Sequence, residues 1–178
     1  MNTADPTYPY DDEFMSCRET YSTLRIFSDA IPPSEISAAL ALQPTRSHLK
    51  GEPISPRVQR PRPEHGWLLS SEHYIRSRDT RRHIDWILDK LELGADAFEN
   101  LVSRGASADI FSYWVSARGQ GGPILSPPQF ARLARFRLEC SYDTTSLTKA
   151  KTTPELSWHH GLGPSLPVVS RFPDAAAA

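Results

Sequence analysis

Apolar and polar positions alternate most cleanly in "FRLECSYD". Phe136, Leu138, Cys140 and Tyr142 interleave there with Arg137, Glu139, Ser141 and Asp143, the period of a strand with one buried and one wet face. "TYSTLRIFS", Thr20 to Ser28, is rich in β-branched and aromatic residues. Leu24 and Ile26 fall on one side of it and Thr23 and Arg25 on the other, so it predicts a first strand. "GWLLSSE" predicts a short second strand in which Trp67 and Leu69 share a face. "ADIFSYWVS", Ala108 to Ser116, is apolar on both faces and is placed centrally in the sheet.

Helical spacing separates these strands. In "IPPSEISAALAL", Pro33 suits the first helical position, Glu35 complements the N-terminal dipole, and Ile36, Ala39 and Leu40 form the apolar stripe. Gln43-Pro44 ends it. A long helix begins between Ser77 and Thr80 and runs to Ser103, with Ile84, Ile87, Leu88, Leu91, Ala95, Phe98, Leu101 and Val102 on its apolar face. Gly94 is expected to kink or split it and Gly105 to close it. In "SPPQFARLARF", Ser126 and Gln129 make a capping box around Pro127. "ARGQGGP" reads as a turn, with Ile124-Leu125 a short strand or an extended lead-in. Thr45 to His65 shows no period, and five prolines fall between positions 44 and 65.

Strand–helix–strand–helix–strand–helix–strand predicts an α+β two-layer sandwich. Three helices cover a largely antiparallel sheet of four or five strands, in a ferredoxin-like or related split βαβ topology. Residues 1–18 are expected to be an acidic, mobile N-terminal segment, 19–146 a single domain, and 147–178 a Ser/Thr/Pro/Ala-rich tail.

Bulk composition narrows the class. With 178 residues, 39% apolar, one globular domain is expected, and a net charge of −1 makes the chain no polyelectrolyte. Cys17 and Cys140 are too few for a disulfide framework and lack metal-ligand spacing. No apolar run reaches the ~20 residues of a membrane span, and the N-terminus is acidic where a signal peptide is basic. A cytoplasmic protein is the expectation.

The charge is unevenly laid out. Residues 1–19 hold five acids against one base, 45–82 nine bases against four acids, and 83–104 five acids against two bases. Either the basic stretch is ordinary solvated surface, or it meets an acidic partner, or the acidic N-terminus covers it. Four arginines in "RSRDTRRH" (Arg76, Arg78, Arg81, Arg82) crowd the start of the long helix, where they oppose its dipole. Asp79 or Thr80 is the candidate cap. The arginines have the acidic N-terminus, Asp85 and Glu72 as candidate counter-ions.

No hydrolase elbow, P-loop, zinc-protease or dinucleotide glycine motif is present. The Ser70, Ser71 and His73 cluster fails as a local triad, because Glu72 points away from the serine and histidine on a strand. His159-His160 lacks convergent partners, so neither metal nor cofactor is expected. Aromatics interleaved with the bases are sparse, which disfavours nucleic acid. A second cluster follows the first helix in "LQPTRSHLKGEP". Arg46 offers a bidentate fork, Lys50 a point charge beside Gly51, and Thr45 and His48 further polar groups. A polar connection with Thr45 and Arg46 capping the helix competes with that reading.

"YSTLRIFSDAIPPSEISAALALQPTRSHLKGE", "GWLLSSE", the long helix, "ADIFSYWVS" and "GGPILSPPQFARLARFRLECSYD" together resemble the bacterial domain-of-unknown-function family numbered 4279, over roughly residues 20–145. No catalytic residues or cofactor carry over with the resemblance. The expected function is a non-enzymatic binding module of immunity-like or regulatory type. Its basic surface, Arg46 to Arg82, with Thr45, Arg46, His48, Lys50, Arg76, Arg81 and Arg82 as candidate binding residues, docks an acidic protein partner. The alternative is a small-anion or nucleotide pocket at Thr45–Lys50 with weak hydrolytic activity.

Overall fold

A computed structural model describes residues 7–146. The chain runs β1 (Cys17–Ser28), α1 (Pro33–Leu40), β2 (Arg46–His48), β3 (Pro53–Ser55), β4 (Val58–Pro61), β5 (His65–Ser70), α2 (Thr80–Glu92), α3 (Ala95–Ser103), β6 (Ser107–Ser116), α4 (Pro127–Arg135) and β7 (Glu139–Ser146). It is α+β, with a five-stranded sheet in the order β2-β5-β1-β6-β7 and a separate β3-β4 ribbon.

The long first strand is the axis of the sheet. β1 pairs antiparallel with β5 on one side and β6 on the other. Its even residues Leu24 and Ile26 are fully buried with Trp67, Leu69 and Ile110. The helices deliver Ile36, Leu40, Ile84, Ile87, Leu88, Leu91, Phe98, Leu101 and Leu133 to the same core. Trp67, on β5, also donates its indole N–H to Ser37 Oγ on α1 at 2.9 Å. That satisfies the one polar atom of a residue with no solvent exposure.

Three features differ from the expected topology. The sheet is mixed, because β7 runs parallel to β6; α4 returns the chain across the helical layer, as a parallel pair requires. A ferredoxin-like order is therefore not matched. The helices number four, since the chain leaves helical geometry at Gly94 (φ −123, ψ 31). The end of α1 packs there, with Leu40 O 3.5 Å from where a Gly94 side chain would begin. Finally, Phe136 and Leu138 are buried as their alternation demands, yet they precede β7. Arg137 takes a left-handed φ of 53, and Leu138 donates to Leu133 O at 3.0 Å. This is a Schellman-type helix end, which satisfies the last carbonyls of α4 before the strand starts. Ile124-Leu125 is the extended lead-in to the Ser126–Gln129 capping box, which is formed.

The N-terminal segment expected to be mobile contributes residues 7–16 to the described structure, and the first strand starts at Cys17. The tail beyond 146, with His159 and His160, lies outside the described residues. Among the described residues no helix is long and apolar enough to cross a membrane.

Truncating Trp67 removes both its packing and the link to Ser37. The Trp67→Ala variant is expected to lose about 3–5 kcal/mol in chemical denaturation. A loss under about 1 kcal/mol, the size of a surface effect, contradicts its place in the core.

Candidate interaction surface

The arginines at the start of α2 are neutralised from within. Asp79 is the N-cap and accepts the Arg81 backbone N–H at 3.0 Å. Its carboxylate also accepts from Arg81 Nε at 2.9 Å and from the backbone N–H of Asp11 at 2.8 Å. Arg81 is spread further over Ser126 Oγ (2.9 Å) and the carbonyl of Pro9 (2.8 Å); its hydrogen bonds to Asp79 raise the guanidinium pKa. Arg82 pairs with Asp12 at 2.8 Å and lies over the Tyr10 ring. Arg78 pairs with Glu13 at 3.5 Å, and its N–H reaches Asp12 O. Tyr10 extends the strap by donating to Asp85, which also receives Gln129 and Arg132 from α4. The acidic N-terminus thus lies across the basic helix start. A small recess between them is lined by Asp11, Phe14, Asp79, Thr80, Arg81 and Ile124. Arg81 and Arg82 are committed to these contacts, whereas Arg76 stands exposed.

A second concentration of bases lies on an arm. β2 pairs with β5, and β3 with β4, so residues 46–70 form one long irregular hairpin. β3 and β4 make their main contacts with each other. Residues 46–62 hold five bases, Arg46, Lys50, Arg57, Arg60 and Arg62, against Glu52 alone. Arg46, Arg57 and Arg60 are exposed. Arg62 is half-buried and donates to Ile54 O at 2.7 Å, tying the base of the ribbon. Arg57, Arg60 and Arg62 were not among the sequence candidates. Their signal was a run of bases in a stretch without a hydrophobic period, where pairing is set by the partner strand.

Within the Thr45–Lys50 segment the polar groups diverge. Thr45 Oγ1 donates to Leu68 O at 3.1 Å and accepts from Ser70 N at 3.0 Å, closing the first pair of the hairpin. Lys50 Nζ meets Asp29 at 2.8 Å on the surface. His48 folds down onto Gly66, so closely that a Cβ there would lie 2.1 Å from its ring. Burial, with Arg62 and Arg46 nearby, lowers its pKa to about 4. Arg46 is exposed on the edge of the sheet.

A serine–histidine contact does exist, between residues the sequence did not pair. Ser71 Oγ lies 2.8 Å from His83 Nδ1, while His73 is exposed. His83 Nε2 lies 3.0 Å from Ser77 O, which sets Nε2 as the donor and Nδ1 as the acceptor. Ser71 also accepts the Ser22 N–H at 3.0 Å and faces Ser22 O at 3.1 Å. Ser71 and His83 are 0% and 1% exposed, so no substrate reaches the hydroxyl. With Ser22···Ser112 at 2.7 Å and Thr20···Thr80 at 3.1 Å, the pair belongs to a hydroxyl-rich seam between the sheet and α2. Among the described residues no three or more His, Cys, Asp or Glu side chains are grouped to hold a metal ion.

Burial lowers the His83 pKa as well. Both folded histidines therefore resist a proton that the unfolded chain takes up near the ordinary imidazole value of 6.5. Their contribution to stability is complete above that pH and is lost as the pH falls below about 6.5, in the case of His48 down towards about 4. The melting temperature should fall between pH 7 and pH 5, with a shallower slope in the His48→Gln and His83→Gln variants. An unchanged slope in both would contradict the assignment of the neutral imidazoles.

A search of curated proteins and a search of solved structures return no match. The family model described as "Domain of unknown function (DUF4279)" matches residues 18–147, which spans β1 through β7 and the whole basic arm. The chain belongs to the DUF4279 family.

Proposed function

We propose that this chain is a non-enzymatic binding module that docks an acidic protein partner through the arm at residues 46–62, in a regulatory or immunity-type role. The observation that carries the reading is the density of bases on the arm. The helix-start arginines are matched by Asp12, Glu13 and Asp79, while residues 46–62 carry five bases against one acid, with Lys50 meeting Asp29 from outside the arm. A field of one sign on a projecting ribbon speeds encounter and selects for complementary charge. Prolines 53, 56 and 61 stiffen the ribbon, which lowers the ordering cost of docking. The buried serine–histidine pair supports a module without hydrolytic chemistry, since its hydroxyl is enclosed by Ser22 and His83.

Affinity capture from nuclease-treated lysate of the source cells tests the proposal. Wild-type protein should retain an acidic protein, and Arg57→Glu with Arg60→Glu should reduce that capture at least about tenfold. Arg76→Glu should leave it nearly intact. Capture that is indifferent to the arm, or that is seen only in lysate not treated with nuclease, overturns the reading.

A further inference from the structure

The helices cover only one side of the sheet. On the other side lie the odd residues of β1 and their register partners, and among the described residues no helix packs over them. This face is unusually aromatic. Tyr21 and Thr23 are each 8% exposed, while Phe27, Leu68, Phe111 and Tyr113 are half-buried. Tyr21 and Tyr113 have ring centroids 5.1 Å apart. In the middle, Arg25 gives Asp109 two hydrogen bonds, at 2.7 and 2.6 Å, and its guanidinium lies 4.6 Å from the Phe111 centroid. The long side chain is thereby pinned flat and neutralised, so further burial removes little rotamer freedom.

The charge at the two rims of this face is opposite. One register row crosses all five strands as Arg46, Leu68, Arg25, Asp109 and Glu139. Arg46 and Glu139 are exposed, and each lies two strands from β1, the central strand. We infer that this open face is the interface of a twofold dimer of this chain, with the axis running along β1. Rotation about that axis places β2 of one copy over β7 of the other. Arg46 then faces Glu139 twice, and the aromatic centres meet between them. Rotation about an axis across the strands would set Arg46 on Arg46 and Glu139 on Glu139, so charge selects the first arrangement. The four strand pairs register over three, six, ten and eight residues; at spacings of about 4.8 Å between strands and ~3.4 Å per residue this gives a face on the order of 450 Å² per copy. The total of ~900 Å² is just under the ~1,000 Å² of a stable specific interface, which makes the dimer weak and concentration-dependent. Arg46 belongs to both this row and the arm, but Arg57 and Arg60, which test docking by the arm, lie outside the row, so the two readings can fail separately.

Sedimentation equilibrium of the full chain across the micromolar range tests it. The mass should rise with concentration from the 19.9 kDa chain mass towards twice that value. Arg46→Glu and Glu139→Lys, made singly, should each weaken association by roughly tenfold or more, and the R46E/E139K double variant should restore it. Each variant is melted in parallel to show that it folds like the wild type. A monomer at every concentration, a dimer indifferent to both single changes, or weakening without rescue in the double variant overturns the inference.

Discussion

The Asp79 carboxylate is the point on which the arrangement of this protein turns. It caps α2, accepts from the Arg81 guanidinium and holds the Asp11 backbone. The side chains of Asp79 and Arg81 are 5% and 11% exposed, so the pair is taken out of water and its Coulomb attraction alone does not offset that cost. Hydrogen bonds do the rest. Arg81 also reaches Ser126 at the start of α4 and Pro9 in the strap. One ion pair thus connects the N-terminal segment, the second helix and the fourth. Removing either partner would leave the other charge buried and unmatched, the situation that makes such pairs hard to lose.

The same node explains an arrangement that local rules disfavour. Arginines at a helix N-terminus oppose the dipole, yet Arg81 and Arg82 fall in the first turn of α2. They are tolerated because a strap of acids lies across them, with Asp12 on Arg82 and Glu13 near Arg78. Arg132 repeats the device further along α2, where it meets Asp85, Asp89 and Glu92 together and fastens α4 to that helix. Acids and bases that look segregated along the chain thus meet in space at both ends of α2.

Much of the fold was legible in the residues, for definite reasons. Leu24, Ile26, Trp67 and Leu69 lie on the buried face because period-2 burial leaves a mark at each position. Asp79 and Ser126 cap as their types suggest. β2, β3 and β4 left no such mark, because an exposed edge ribbon has no face to bury; its pairing is set by β5 and by Thr45 bonding to Leu68 and Ser70. Nor does a hydrophobic pattern carry strand direction, so the parallel β6–β7 pair was not readable. The binding candidates fared by the same logic. Charge type was visible for Arg81, Arg82 and Lys50, but their counter-ions are 2 residues away (Asp79) for the first, 70 (Asp12) for the second and 21 (Asp29) for the third, and only folding reveals which acid each one meets.

The serine–histidine contact shows how far a chemical signature is from chemistry. Ser71 and His83 have the distance of a nucleophile and its base, but a nucleophile needs a substrate and a place for developing charge. Here the hydroxyl is enclosed by the Ser22 backbone N–H and carbonyl and by the His83 ring. Small polar residues at this end of the sheet let α2 approach closely, and they satisfy one another where apolar side chains would hold the layers apart. The seam therefore serves to seat the helix whose first turn carries Asp79. On the outside lie a base-rich ribbon at residues 46–62 and an aromatic sheet face with Arg46 at one rim and Glu139 at the other.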